Sequence, residues 1–348
     1  MVPETLADNG IDGQEKSMKI DIFAHILPPK FKEILFKKAF PQRETSSYFP
    51  ALFDLDQRFR IMDKYPDVMQ VLAVSSAGTS VDKLAGPGEA AELARMVNDE
   101  IAELVWKYPD RFAAGIATLS LANIDTALKE LERAINQLKL RGVQLQIPTN
   151  GKPVDRPEFI PLYESMCHYN LPIWWHPEGK RGAPNYEDEK ESKYWIWHLW
   201  GLPFETSISM TRLVFSGIFD KYPNLKIITH HCGAMIPFFA ERIRNHYNFL
   251  EMRNKLDFNC GLKEHPVEYF RRFYNDTAIL GNPSALMCAY EFFGADHLLF
   301  GTDVPFDPML GDYGTARTIK AIEEMAITEA DRKKIFEDNA RRLLRLPV

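Results

Sequence analysis

Four side chains suited to binding a cation or moving a proton stand at the ends of short apolar runs. His25 closes Asp21-Ile-Phe-Ala-His25, His176 closes Ile-Trp-Trp-His, His231 follows Lys226-Ile-Ile-Thr-His, and Asp303 follows Leu-Leu-Phe-Gly-Thr. Residues 21, 23 and 25 of a strand share one face, so Asp21 and Phe23 accompany His25. Pro177 cannot continue a hydrogen-bond ladder and stops the strand behind His176. A carboxylate that follows an apolar run is buried, and a buried carboxylate must be paired or bind a metal. His25, His176 and Asp303 offer two imidazoles and one carboxylate, a set suited to one divalent ion of the zinc or manganese type with positions left open for substrate. Such an ion holds a carboxylate or hydroxyl, or acidifies a water.

His230 and His231 are adjacent, and neighbouring strand residues face opposite ways, so one of the two is expected to look into the site. His231 lies nearer the loop and is expected to be that residue, an acid/base group working near neutral pH. His230 is expected to be a packed or hydrogen-bonded neighbour. Asp303 is a second group able to carry a proton. His198 lies in an aromatic stretch with Trp195, Trp197 and Trp200, where contact with a flat substrate and simple packing against the body of the protein are both open readings.

Strands that end on one side of a common scaffold are needed to bring such groups together. Eight strand-like runs occur in order: Lys19–Phe23, Val68–Val74, Phe112–Thr118, Gly142–Ile147, Pro172–His176, Leu225–His230, Phe273–Ala278 and Leu298–Thr302. Most are continuous apolar runs, the pattern of strands buried on both faces. Helical segments separate them. In Ala90–Tyr108, Leu93, Met96, Val97, Ile101, Leu104 and Val105 recur with the period of a helix, and Thr328 is placed to cap the last helical region. Alternation of this kind implies a parallel sheet, and eight units predict an α/β fold of the (β/α)8 TIM-barrel type, whose functional groups sit where strands end. Two connections, from Ile26 to Lys64 and from Pro177 to about Glu205, exceed the common βα loop of about 2–6 residues. They are insertions after the first and fifth strands, on the face where substrate loops belong.

The 348 residues are 45% hydrophobic and carry a net charge of −6, enough for a large core and unsuited to a nucleic-acid surface. No apolar run approaches the ~18 residues of a membrane span. Cys167, Cys232, Cys260 and Cys288 have no paired spacing and read as reduced thiols of a cytoplasmic protein. Residues 1–17 are polar and lack the pattern of a signal peptide; they are expected to form a flexible arm, with 18–348 as the barrel domain.

Further segments extend these motifs: Lys19-Ile-Asp-Ile-Phe-Ala-His-Ile-Leu-Pro28, Tyr108-Pro-Asp-Arg-Phe112, Gly201-Leu-Pro-Phe-Glu-Thr206, Phe219-Asp-Lys-Tyr-Pro-Asn-Leu-Lys226, His231-Cys-Gly-Ala-Met-Ile-Pro237 and Gly301-Thr-Asp-Val-Pro-Phe306. From Lys19 onward the chain resembles the amidohydrolase superfamily, in the branch of aminocarboxymuconate-semialdehyde, γ-resorcylate and 5-carboxyvanillate decarboxylases. The resemblance implies that His25, His176 and Asp303 bind the metal and that His231 is catalytic. It implies that Arg242 grips the substrate carboxylate, in some relatives across a dimer interface, and that Arg58 is a second carboxylate-binding residue. A homodimer or higher homo-oligomer is expected. Relatives place His or Glu at position 23; phenylalanine cannot ligate, so weaker metal binding is expected here.

The leading functional expectation is a metal-dependent, non-oxidative decarboxylase of a small aromatic or unsaturated carboxylic acid. A hydrolase of a cyclic ester or amide, a hydratase, and a barrel that has lost catalysis with part of its metal site are the alternatives.

Overall fold

The computed structural model describes residues 18–39, 49–75, 80–178, 183–253 and 261–347. The arm expected at 1–17 and Cys260 lie outside them. The strands are β1 (Lys19–Ile26), β2 (Val68–Val74), β3 (Phe112–Gly115), β4 (Ala117–Thr118), β5 (Val143–Ile147), β6 (Ile173–Pro177), β7 (Ile227–Thr229), β8 (Tyr274–Asp276) and β9 (Leu298–Leu299). Each expected run contains a strand, and the third is divided at Ile116. All strand pairs are parallel, in the orders β1-β2-β3 and β4-β5-β6-β7-β8-β9.

Backbone hydrogen bonds join these two sheets at both seams. At one, the Ile116 N–H donates to Leu72 O at 2.9 Å and the Ala117 N–H to Gly142 O at 2.9 Å, so the divided strand belongs to both sheets. At the other, Ile22 N–H donates to Phe300 O and His25 N–H to Val304 O, each at 2.9 Å, and Asp303 N–H donates to Phe23 O at 3.1 Å. The fold is the expected (β/α)8 barrel with its first and last strands in contact.

Strand alternation, broken by a register shift in β1 between Asp21 and Ala24, sorts the core into two layers. Ile20, Ile22, Phe23, Val71, Ala73, Trp174, Ile228 and Leu299 fill the interior of the barrel. Leu72, Val74, Ile173, Trp175 and Ile227 face outward instead, against helical residues such as Val97, Ile101 and Leu131. Trp174 therefore points inward, and His176, two residues on, shares its face. Ile228 and His230 stand in the same relation on β7. The connection after β1 carries helices Pro29–Ala39 and Leu55–Met62; that after β6 carries the short helix Ile196–Leu199 and the helix Gly201–Phe215. Among the described residues no helix is long and apolar enough to cross a membrane.

Asp21 locks the β1–β9 seam from inside. Its fully buried carboxylate accepts from the Phe23 N–H (3.1 Å), the Thr302 N–H (3.1 Å) and the Thr302 hydroxyl (2.5 Å). Burial pushes its pKa up to about 6 although these donors favour the charged form. An Asp21→Ala change leaves three buried donors without an acceptor and should lower unfolding free energy by about 2–4 kcal/mol in urea titrations. Asp21→Asn keeps an acceptor for the two amides and offers Thr302 a donor, so its loss should stay below about 1 kcal/mol. Equal losses in the two variants would show that the charge, and not the acceptor geometry, matters.

Candidate active site

His25 stands near the end of β1 with 1% of its surface exposed. Its Nε2 lies 3.0 Å from Asp303 Oδ1. The two residues meet because the segment after β9 runs beside β1, and the backbone at Asp303 takes a left-handed conformation (φ 62°) that swings the carboxylate across the barrel mouth. His176 comes from the end of β6. Its Nδ1 lies 2.9 Å from the carbonyl oxygen of Pro177, which can only accept. The proton therefore sits on Nδ1, and Nε2 presents a lone pair. The ring centroids of His25 and His176 are 5.2 Å apart.

Both members of the His230–His231 pair enter the site. β7 ends at Thr229, and the chain then passes through left-handed conformations at His231, Cys232, Gly233 and Ala234, so the strict alternation of a strand stops one residue before it would separate them. Gly233 is needed in this turn: at φ 74° a Cβ would sit 2.6 Å from Phe293 and 2.9 Å from Asn275 Oδ1. His230 is fully buried, stacks on Phe23 at 4.0 Å between ring centroids, hydrogen-bonds Asp276 through Nδ1, and places Nε2 3.3 Å from Asp303 Oδ1. His231 Nε2 lies 4.0 Å from Asp303 Oδ2 at the more open side of the mouth. The expectation that at most one of the two looks into the site is corrected: His230, hydrogen-bonded as expected, also shares the inward face of Ile228.

The charges in this cluster are unequal. Burial holds His25 and His176 below the ordinary imidazole range, and takes His231 down to about 3 with help from neighbouring His230. His230 goes the other way. Burial opposes its charge, but carboxylates on both sides, Asp276 and Asp303, outweigh that and raise it. Asp303 is held well below the usual carboxylate range, since His230 and His25 override the effect of burial.

This donor set fits a divalent cation. Ligand atoms of His25, His176 and His230 lie within 4.8 Å of one another, as do those of His230, His231 and Asp303. His25 Nε2, His230 Nε2 and Asp303 Oδ1 are buried and make no directed hydrogen bond despite their proximity. Orphaned lone pairs of this kind are costly unless something positive lies between them.

A family model described as amidohydrolase matches residues 20–346. The chain belongs to the amidohydrolase family. Among characterised relatives, this amidohydrolase is 32% identical over 321 residues to γ-resorcylate decarboxylase of Polaromonas sp., covering 88% of this chain and 92% of the relative. It is 28% identical to 2-amino-3-carboxymuconate-6-semialdehyde decarboxylase of Dictyostelium discoideum, covering 95% and 92%. Among solved structures it resembles 2,6-dihydroxybenzoate decarboxylase complexed with 2,6-dihydroxybenzoate, at a TM-score of 0.78 and 28% identity over 95% of this chain and 100% of that one. A dihydroxybenzoic acid decarboxylase from Polaromonas sp., solved with manganese and the inhibitor 2-nitroresorcinol, superposes with a TM-score of 0.78 at 29% identity, covering 94% and 97%.

Among the described residues neither arginine forms an ion pair with a side chain of this cluster. Arg242 is exposed on helix Ile236–Met252 and has no ion pair among the described residues. At His198 partial burial lowers the imidazole pKa, and the nearby Asp303 carboxylate partly opposes that. Arg58 is 3% exposed and donates to Gln70 Oε1 (2.9 Å), His25 O (2.7 Å) and Ala51 O (3.2 Å). Its guanidinium sits behind His25 and fixes the backbone there, while its Nη2 is buried with no hydrogen-bond partner among the described residues. Asp276 escaped the sequence reading because its run, Phe273-Tyr-Asn-Asp, is interrupted by polar Asn275 and lacks the continuous apolar lead-in of Asp303.

Arg58→Met should therefore act on the fold of the amidohydrolase. Leaving the His25 carbonyl and Gln70 unpaired in the interior should cost about 3–5 kcal/mol, read as a fall in the thermal midpoint. An unchanged midpoint with a raised KM would restore a direct substrate contact.

Proposed function

We propose that this amidohydrolase is a metal-dependent, non-oxidative decarboxylase of a small aromatic or unsaturated carboxylic acid, acting as one barrel domain in the cytoplasm with one zinc or manganese ion. The observation that carries this reading is a buried cluster in which His25 meets Asp303 at 3.0 Å and also groups with His176 and His230, with His25 Nε2 and Asp303 Oδ1 lacking hydrogen-bond partners. The decarboxylases among the relatives and the manganese in one neighbour support it. His25, His176 and Asp303 would hold the ion. When bound, it supplies a positive charge that orients the substrate carboxylate and an adjacent oxygen.

The protein's own groups then have defined tasks. Breaking the bond between the ring carbon and the carboxylate releases CO2 and leaves an electron pair on that carbon, which must take up a proton. Because His231 is neutral and Asp303 ionised, that proton must enter with the substrate or from solvent; His231 Nε2, 4.0 Å from Asp303 Oδ2, would take it up and, through one water or substrate oxygen, pass it to that carbon. The phenyl ring of Phe23 and the buried walls around it exclude water from the floor.

Arg242 would grip the substrate carboxylate by two parallel hydrogen bonds. It does so in a homodimer. Its helix exposes Phe238, Phe239 and Phe249, and the neighbouring helix Gly201–Phe215 exposes Phe204 and Ile208. The two helices are tied by the Met235 N–H to the Ser207 hydroxyl at 3.1 Å. A broad apolar surface of this kind is characteristic of association.

Manganese-loaded protein incubated with a panel of hydroxybenzoates should release CO2 from at least one of them. His231→Ala should lower kcat about 10²–10⁴-fold. Hydrolysis of cyclic esters without any CO2 release would overturn the decarboxylase reading. Arg242→Ala should raise KM for carboxylate substrates, and mixed dimers of the His231→Ala and Arg242→Ala chains should regain part of the activity. No recovery in verified mixed dimers would place Arg242 outside a shared site.

A further inference from the structure

We propose that His230 is a direct ligand of the divalent ion, so that three imidazoles, those of His25, His176 and His230, and the Asp303 carboxylate hold it. The inference rests on the reading that His25, His176 and Asp303 bind a metal. It adds a ligand from the end of β7, a position the sequence assigns to packing or hydrogen bonding.

Phe23 occupies the middle of the cluster. Its ring centroid lies 4.9 Å from that of His25, 6.0 Å from His176 and 4.0 Å from His230. It fills the floor of the site without offering a lone pair. His230 is stacked on it at an interplanar angle of 15°, which sets the plane of the imidazole. Asp276 fixes the rotation of that plane by binding Nδ1. Asp276 is itself immobilised, because its Oδ1 accepts from the Cys232 N–H (3.1 Å) and the Ala278 N–H (2.9 Å). The only free coordinating atom of His230 is therefore Nε2, aimed at the same Oδ1 of Asp303 that His25 approaches from the other side.

The distances agree with a shared ion. Two donors each about 2.1 Å from one ion, at angles of 90–109°, stand about 3.0–3.4 Å apart. His25 Nε2 is 3.0 Å from Asp303 Oδ1, and His230 Nε2 is 3.3 Å from it. A carboxylate holding the far nitrogen of an imidazole is also the usual support of a metal-bound histidine. His230 thus supplies the imidazole that Phe23 cannot.

Manganese alone is the probe. Pulsed electron paramagnetic resonance of the manganese-loaded wild type should count three coupled imidazole nitrogens, and that of His230→Phe should count two. After chelation, equilibrium dialysis should show His230→Phe losing affinity by more than the about 10–100-fold expected for Asp276→Asn, which removes only the supporting carboxylate. The exchanged pair Phe23→His/His230→Phe keeps one aromatic and one imidazole ring in the stack and should recover most of the loss. Two nitrogens in the wild type, or undiminished affinity in folded His230→Phe, would overturn the role of His230 while leaving the metal reading intact. A wild type that binds neither manganese nor zinc would refute the metal reading itself. The nitrogen count in the wild type decides the question even if a variant fails to fold.

Discussion

The rest of the site depends on the contact between the first and last strands. His25 N–H to Val304 O and Asp303 N–H to Phe23 O are backbone bonds, yet they set the separation of the two side chains that meet at the centre of the mouth. Asp21 and Thr302 clamp the same seam one layer deeper, and Arg58 holds the His25 carbonyl from behind. Buried polar groups in an apolar barrel must find partners. Here the partners lie on the opposite strand, so satisfying them closes the barrel and positions the chemistry in one step.

Around that seam the charges are arranged by layer. Asp276 and Asp303 stand on opposite edges of His230, whereas His25, His176 and His231 are kept neutral by burial. A neutral imidazole is the form that ligates a metal or accepts a proton, so a cation bound by His230 would take the place of the proton on its Nε2. The apolar walls of the barrel, Phe23 above all, thus act on the titrating groups through dielectric and exclusion of water, and do so without making a polar contact of their own.

Most of the scaffold was legible in the sequence because strands buried on both faces are written as uninterrupted apolar runs. The same legibility extended to the positions of His25, His176 and Asp303, which stand at the ends of those runs and are brought together here. Reading failed where a run passes into a turn. The alternation rule needs a strand, and at His231 there is none, so two adjacent histidines face one centre. The inward face was nevertheless written in Ile228, which shares it with His230. Arg58 was placed by motif resemblance alone, which does not say that a long side chain will reach the His25 carbonyl. Arg242 depends on a surface that a single chain does not cover.

The seam also sets an order of events during synthesis. Asp21 and Thr302 are 281 residues apart in the chain. At about 5–20 residues per second, β1 leaves the ribosome about 14–56 s before its partner at the C-terminal end exists. Throughout that interval one edge of the first strand is open to mispairing. Asp21 and His25 place ionisable groups in an otherwise apolar segment, which is how exposed edges are kept from recruiting other strands. The ionisable residues of the nascent first strand are therefore the ones that later serve the mouth of the barrel, and the His25–Asp303 contact can form only on a polypeptide that extends past residue 303.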